Sequence, residues 1–334
     1  MARDILPCVL AFVACVWSAP VQAEETAVSS QADRALRLLT ASDLFSKKAG
    51  LLELEALRDP STLTAVRPFL DDPNPALRAQ ALATARAIQG AAAIPLLTDA
   101  LARDRSEIVR RQAANELHEL RDPSTVPALT SALQDRRVTV RIAAVEALGA
   151  MHDQSVTPAI IEQVRSRDAE LRRSSLDALG TLKDSQAKPV MIKRARDRDV
   201  NVRRAAVQAL ARLKDPSTVP VFIRALRDKD DTVRKLAMKA LGGLVTNASL
   251  PDVGRLLNAG RPVLRLYAIG LLDHLGTPEA LALLQARRLR EWNDVLKGTL
   301  DRSIARLERR LAAATEAAPA TAFTPSPSSD AVKP

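Results

Sequence analysis

DPSTVPALTSALQDRRVTVRIAAVEALGAMH, Asp122 to His152, opens on six residues, DPSTVP, that return at Asp215 to Pro220, 93 positions later; DPST also stands at Asp59. Ninety-three is three times 31, and aspartates occupy the two intermediate positions, Asp153 and Asp184. Other residue types keep the interval. Arginines stand at Arg78, Arg110, Arg141, Arg172, Arg203, Arg234 and Arg265, with one step of 32 and then five of 31. Prolines stand at Pro95, Pro127, Pro158, Pro189, Pro220 and Pro251 with the same spacing. A chance hexamer would not carry unrelated positions with it, and self-similarity of this length marks a stacked array of repeats.

Within the quoted unit, Asp122-Pro123-Ser124-Thr125 supplies a turn and a cap, and Pro127 falls in the first turn of a helix, where a missing N–H costs nothing. This helix A is predicted to run to about Gln134. A polar turn, Asp135 to Arg137, leads into helix B, where Val140, Ala144, Ala147, Leu148 and Met151 fall on one apolar stripe. The Ala144 position recurs as Ala81, Ala113, Ser175, Ala206, Ala237 and Ala268. The Leu148 position recurs as Leu117, Leu179, Leu210, Leu241 and Leu272, with Ala85 the departure in the first unit. Small residues let helices approach and leucines fill the space between layers. No single pair buries its stripe alone, so stacking is obligatory.

Composition agrees. The 334 residues are 47% hydrophobic but only 2% aromatic, with 11 glycines, which favours helix packing over strands. The predicted fold class is all-α, a right-handed α-solenoid of seven to eight helix pairs. Seven repeats are expected over 59–276, preceded by a cap with a degenerate repeat at 24–58. Capping helices at 277–312 follow, where the landmarks stop, and then an Ala/Pro/Ser/Thr-rich tail at 313–334 that reads as disordered.

The first residues read as an export signal: Arg3, an apolar run from Ile5 to Trp17, and small residues in VQA, Val21 to Ala23. Thirteen residues are short for a membrane span, so 1–23 is assigned as a signal peptide cleaved after Ala23. The alternative, lipidation at Cys15, meets a poor fit at Phe12. Both cysteines, Cys8 and Cys15, lie in the leader, so the exported chain carries no thiol chemistry, as suits a periplasm. Arg3 and Asp4 cancel, and the net charge of +10 stays with the exported part.

An aspartate stands six residues before most of the period arginines: Asp72, Asp104, Asp135, Asp197 and Asp228. It is placed to cap helix B, and the arginine to bond carboxylates of its own and the next unit, a ladder along the array. Ser166 and Ala259 depart from the pattern, with Asp168 near the first of them.

The proline of helix A and the aspartate belong to a wider pattern. It includes Val-Arg (Val140-Arg141, Val202-Arg203, Val233-Arg234) and the ALG endings (Ala147 to Gly149, Ala178 to Gly180, Ala240 to Gly242). Together these resemble the HEAT-repeat family, and within it the phycobilisome-lyase-type HEAT-like repeats. The resemblance implies a scaffold that hosts binding surfaces and only occasionally catalysis. Deoxyhypusine hydroxylases, which are HEAT proteins, hold two irons with several His-Glu pairs. Here one such pair exists, His118-Glu119, and the remaining histidines are His152 and His274. One pair leaves a metal unheld. No Gly-rich phosphate loop, HExxH, GxSxG or EF-hand pattern is present. No catalytic, metal or cofactor residues are assigned, and a HEAT-fold enzyme of the hydroxylase or phycobilin-lyase type is the competing expectation.

In HEAT-type arrays the B helices line the concave face. One position after the ladder arginines stand Arg111, Arg173, Arg204 and Lys235, with Ile142 the interruption, and these four are the predicted binding residues. One helical turn further come Asn115, Glu146, Asp177, Gln208 and Lys239, mixed in sign. A basic row favours an acidic protein partner, or an anionic envelope component. Nucleic acid is not expected, because only Phe45, Phe69, Phe222, Tyr267, Trp292 and Phe323 remain for stacking outside the leader.

Overall fold

The computed structural model describes residues 30–317. The predicted leader, its cleavage site and most of the tail lie outside the described residues. Among the described residues all regular structure is helical, as the alanine-leucine periodicity requires. The chain divides into two compact units at Leu213/Lys214.

The first unit begins with α1 (30–39) and α2 (Leu44–Leu57) and continues as A/B pairs. These are α3 (Leu63–Val66) with α4 (Pro75–Gln89), α5 (Ile94–Arg103) with α6 (Glu107–Leu120), and α7 (Val126–Ala132) with α8 (Val138–Ala150). Then come α9 (Thr157–Gln163) with α10 (Ala169–Leu182), and α11 (Lys188–Arg194) with α12 (Val200–Leu213). The second unit holds α13 (Val219–Ala225) with α14 (Asp231–Gly242), α15 (Leu250–Leu257) with α16 (Pro262–Leu275), and the closing helices α17 (Pro278–Arg288) and α18 (Asp294–Ala317).

The repeated Asp-Pro-Ser-Thr builds a 3₁₀ turn in front of helix A. Asp122 accepts the Ser124 amide at 2.9 Å and its carbonyl accepts the Thr125 hydroxyl at 2.7 Å; Asp59 and Asp215 make the same pair of bonds. The turn spans Pro123–Thr125, where the sequence reading put a turn and cap. Helix A of this repeat spans Val126–Ala132, ending two residues before the expected Gln134.

The two packing columns are buried throughout. Ala81, Ala113, Ala144, Ser175, Ala206, Ala237 and Ala268 have no exposed surface, nor have Leu117, Leu148, Leu179, Leu210, Leu241 and Leu272. Ser175 keeps its hydroxyl satisfied by donating to the Leu171 carbonyl at 2.6 Å. In the first unit the ALG glycines set the closest approaches. A Cβ on Gly149 would stand 2.9 Å from the Ala178 Cα, and one on Gly180 would stand 2.9 Å from the Ala209 Cα. Gly242, the same position in the second unit, has nothing within 4 Å. Gly149→Ala is therefore expected to cost about 1–3 kcal/mol through overpacking. Gly242→Ala should stabilise by up to about 1 kcal/mol, the helix-propensity gain alone. Opposite shifts of the thermal midpoint check this; equal shifts would remove the packing role.

At the C-terminus α18 continues to Ala317, five residues beyond the predicted boundary at 312. Leu311 to Thr315 and Glu316-Ala317 prolong it, since Ala, Leu and Glu are strong helix formers and no proline intervenes before Pro319.

Candidate functional site

Each period arginine points a guanidinium back across the turn that precedes its helix. All seven donate from Nη1 to the carbonyl six residues earlier, at 2.6–3.1 Å. The carboxylate comes from the following repeat. Arg78 grips Asp104 at 2.8 and 2.8 Å, Arg110 grips Asp135 at 2.6 and 2.9 Å, and Arg172 grips Asp197 at 3.0 and 2.9 Å, each through a two-pronged bond. Burial alone would raise the carboxyls of Asp104, Asp135 and Asp197, but these guanidiniums and the turn amides hold all three below the ordinary aspartate range. The aspartates do not cap helix B itself. They accept the amide two residues on, and Asn74, Ser106 and Asp168 cap α4, α6 and α10.

Where the sequence departs, the rung is missing. Ser166 gives Arg141 no carboxylate, and Asp168 is engaged in capping through the Leu171 amide at 2.8 Å. Arg234 turns instead to Asp231 in its own helix, at 3.0 Å. In the second unit Arg265 completes its rung with Glu291, at 2.9 and 3.0 Å, a carboxylate from outside the repeats.

The predicted binding row is largely occupied by local partners. Arg173 pairs with Glu170 and, at 2.8 Å, with Asp177. Lys235 pairs with Asp231 at 2.6 Å. Arg204 is half-buried and reaches Asn201 Oδ1 at 3.4 Å. Arg111 and Lys235 are exposed, and the Arg111 side chain alone of the four makes no hydrogen bond or ion pair among the described residues.

One to two helical turns further along the B helices of the first unit lies a trough of about 480 Å³. Its floor is small, Gly149, Ala150 and Ala178, and at Gly149 the close approach of α8 and α10 leaves no room for a Cβ. Its walls carry His118, Arg121, Glu146, His152, Asp177 and Arg212. The carboxylates are engaged: Glu146 accepts the Ser174 hydroxyl at 3.1 Å and Asp177 accepts Arg173. Burial pushes the Asp177 carboxyl up, outweighing Arg173 and Arg212 beside it. Among the described residues the Arg212 side chain makes only two long contacts, 3.4 Å each, to the Asp177 carbonyl and the Thr181 hydroxyl. The side chains of His118, Arg121 and His152 make no hydrogen bond or ion pair among the described residues.

Arg121 and His152 owe their position to backbone. Arg58, Arg121, His152 and Lys183 end their repeats at positive φ, 50–56°; Gly90, at the same position, shares the positive φ of 58° but with ψ of −131°, a conformation open to glycine. A side chain there costs about 1–2 kcal/mol relative to glycine. Cations suit the site because the last carbonyls of helix B carry partial negative charge. This column escaped the sequence reading, although glycines at two of its positions, Gly90 and Gly276, were its visible signal. Among the described residues no group of three or more His, Cys, Asp or Glu could hold a metal ion.

A family model described as HEAT repeats matches residues 36–117, 94–175, 157–242 and 219–305. Comparison with curated proteins finds no match. Among solved structures, an engineered protein is 16% identical with a TM-score of 0.51, covering 86% of this chain and 92% of its own. YibA of Escherichia coli is 20% identical with a TM-score of 0.48, covering 81% and 98%. The CpcE–CpcF complex of phycocyanin lyase from Nostoc is 23% identical with a TM-score of 0.38, covering 76% and 92%. At these identities the likeness is one of fold.

Proposed function

The chain belongs to the HEAT-repeat family, and from that premise we propose that it is an exported, non-enzymatic binding scaffold. On this reading it takes an acidic segment of a protein partner on the B-helix face of its first unit. The observation that carries the proposal is the imbalance in the trough. Its carboxylates accept bonds from neighbours, whereas His118, Arg121 and His152 are unmatched and Arg212 is weakly held. An extended chain laid there meets donors spaced by successive helices, about 10 Å apart. Arg111 lies seven residues before His118 on α6, about 10 Å along the same helix, and prolongs the surface. The export signal at 1–23 and the absence of cysteine beyond it support a periplasmic setting.

The left-handed positions give a test that separates binding from stability. Arg121→Gly with His152→Gly removes a guanidinium and an imidazole and relieves two strained backbones, so the chain should lose no stability. A fluorescent glutamate-rich peptide titrated into the chain from Glu24 onward should bind at least tenfold more weakly to this variant at low salt. A second variant, with Arg173, Arg204 and Lys235 changed to Ser and Arg111 kept, should bind within a few fold of the parent. Loss only in the second variant moves the contact to the predicted row, and equal binding by all three discards both. Two irons bound per purified chain would favour the hydroxylase-like alternative.

A further inference from the structure

The second unit ends in a corner that presents apolar side chains outward. Between α17 and α18, Leu289, Trp292 and Val295 are 88%, 68% and 77% exposed, three large hydrophobic residues within seven positions. Fraying does not explain them, because the corner is tied to the most buried ion pair in this unit. Glu291 is 4% exposed and accepts Arg265 in two bonds. Arg287 adds a bond at 2.8 Å, and the Trp292 and Asn293 amides add two more at 3.2 and 3.0 Å. Arg265 also lies over the Trp292 ring, 5.6 Å from its centroid, so one face of the indole is held and the other is open. Asn293 Oδ1 accepts the Leu296 amide at 3.1 Å, which fixes where α18 begins.

The surroundings are basic. Between 287 and 310 there are eight Lys or Arg and four Asp or Glu. Of the four acids Glu291 is buried, Asp294 pairs with Lys297 at 3.3 Å and Asp301 pairs with Arg288 at 2.5 Å. Arg290, between Leu289 and the buried Glu291, is exposed, and its side chain makes no hydrogen bond or ion pair among the described residues. The apolar side chains protrude instead of lining a cleft, and such a projection cannot enclose a peptide. It suits a soft planar surface that admits a few side chains to the depth of its headgroups, with tryptophan at the boundary and cations against negative charge.

We propose that this corner docks the protein on an anionic phospholipid bilayer, with Leu289, Trp292 and Val295 inserted and Arg290 at the headgroups. The assignment is independent of the trough.

Trp292 reports on it directly, since the chain has two tryptophans and the other, Trp17, lies in the predicted leader. The chain from Glu24 onward contains every described residue and avoids the leader's own lipid affinity. Vesicles of 7:3 phosphatidylethanolamine and phosphatidylglycerol should shift its tryptophan emission to the blue and sediment it; phosphatidylcholine vesicles should bind at least tenfold less. Leu289→Ser with Val295→Ser should abolish the shift and weaken partition at least tenfold while leaving the helical spectrum and melting temperature unchanged. Arg121→Gly with His152→Gly should partition as the parent does, so failure here and failure of the trough are told apart. The inference is overturned if anionic vesicles leave the emission unmoved or if the serine variant partitions equally. A soluble protein that shifts Trp292 where vesicles do not would likewise overturn it and assign the corner to a protein contact.

Discussion

Arg172→Ala should destabilise the first unit by about 3–5 kcal/mol, whereas Arg141→Ala, one repeat earlier at the same position, should cost about 1 kcal/mol. The two arginines share the bond to the carbonyl six residues back, at 3.0 and 2.6 Å. They differ in the carboxylate. Arg172 is 3% exposed and grips Asp197, itself buried, so truncation leaves a desolvated carboxylate with only Arg194 at 3.0 Å and a turn amide to hold it. Arg141 faces Ser166 and strands nothing when removed. Urea unfolding of the two variants beside the parent measures the contrast. Equal losses would mean that the shared carbonyl bond, and not the inter-repeat ion pair, joins the repeats.

The second large effect belongs to Glu291. Burial would raise its carboxyl, but the hydrogen bonds from Arg265, Arg287 and the Asn293 amide outweigh burial and hold it at about 2. An unfolded glutamate titrates near 4.3. A carboxyl depressed on folding stabilises the fold fully above the unfolded value, and that stability is lost as pH falls toward the folded one. The window is therefore from about pH 5 down to 2, and the linked free energy is about 3 kcal/mol. Glu291→Gln keeps the shape and removes the charge, leaving Arg265 at 2% exposure without a counter-ion, a loss on the order of 3–5 kcal/mol near neutrality. Melting temperatures from pH 2 to 7 should show the gap between parent and variant closing as the pH approaches 2. A gap that stays constant across that range would detach the carboxylate's charge from stability.

Much of this was legible in the sequence. The interval of 31 fixed the helix pairs, and the alanine and leucine columns are buried at every repeat. The arginine ladder was readable too, except for its direction. Own-unit bonding is to a carbonyl in all seven units, with an own-unit carboxylate also at Arg234, and the two-pronged carboxylate bonds of Arg78, Arg110 and Arg172 go to the next repeat. Glu291 was missed because it falls outside the repeats, although its distance of 26 residues from Arg265 equals that of Asp104 from Arg78. The trough was harder to see. It depends on side chains from four B helices converging near their C-terminal ends, and on a left-handed backbone that residue type does not announce when arginine, histidine or lysine stands where glycine is easiest. The exposed corner at Trp292 looked like part of an amphipathic cap, since exposure at a bend between helices follows from packing and not from helical period.

The direction of the ladder also sets rules for growth by duplication. A repeat inserted whole brings one guanidinium for the carboxylate ahead of it and one carboxylate for the guanidinium behind, so lengthening leaves every joint neutral. Shortening is different. A deletion that ends on an arginine like Arg172 orphans a buried charge, and the array tolerates a new end only where the rung is already absent, as after Arg141, or where a terminal acid such as Glu291 closes it. The two irregular repeats are thus the places at which a gene of this kind can be cut and rejoined.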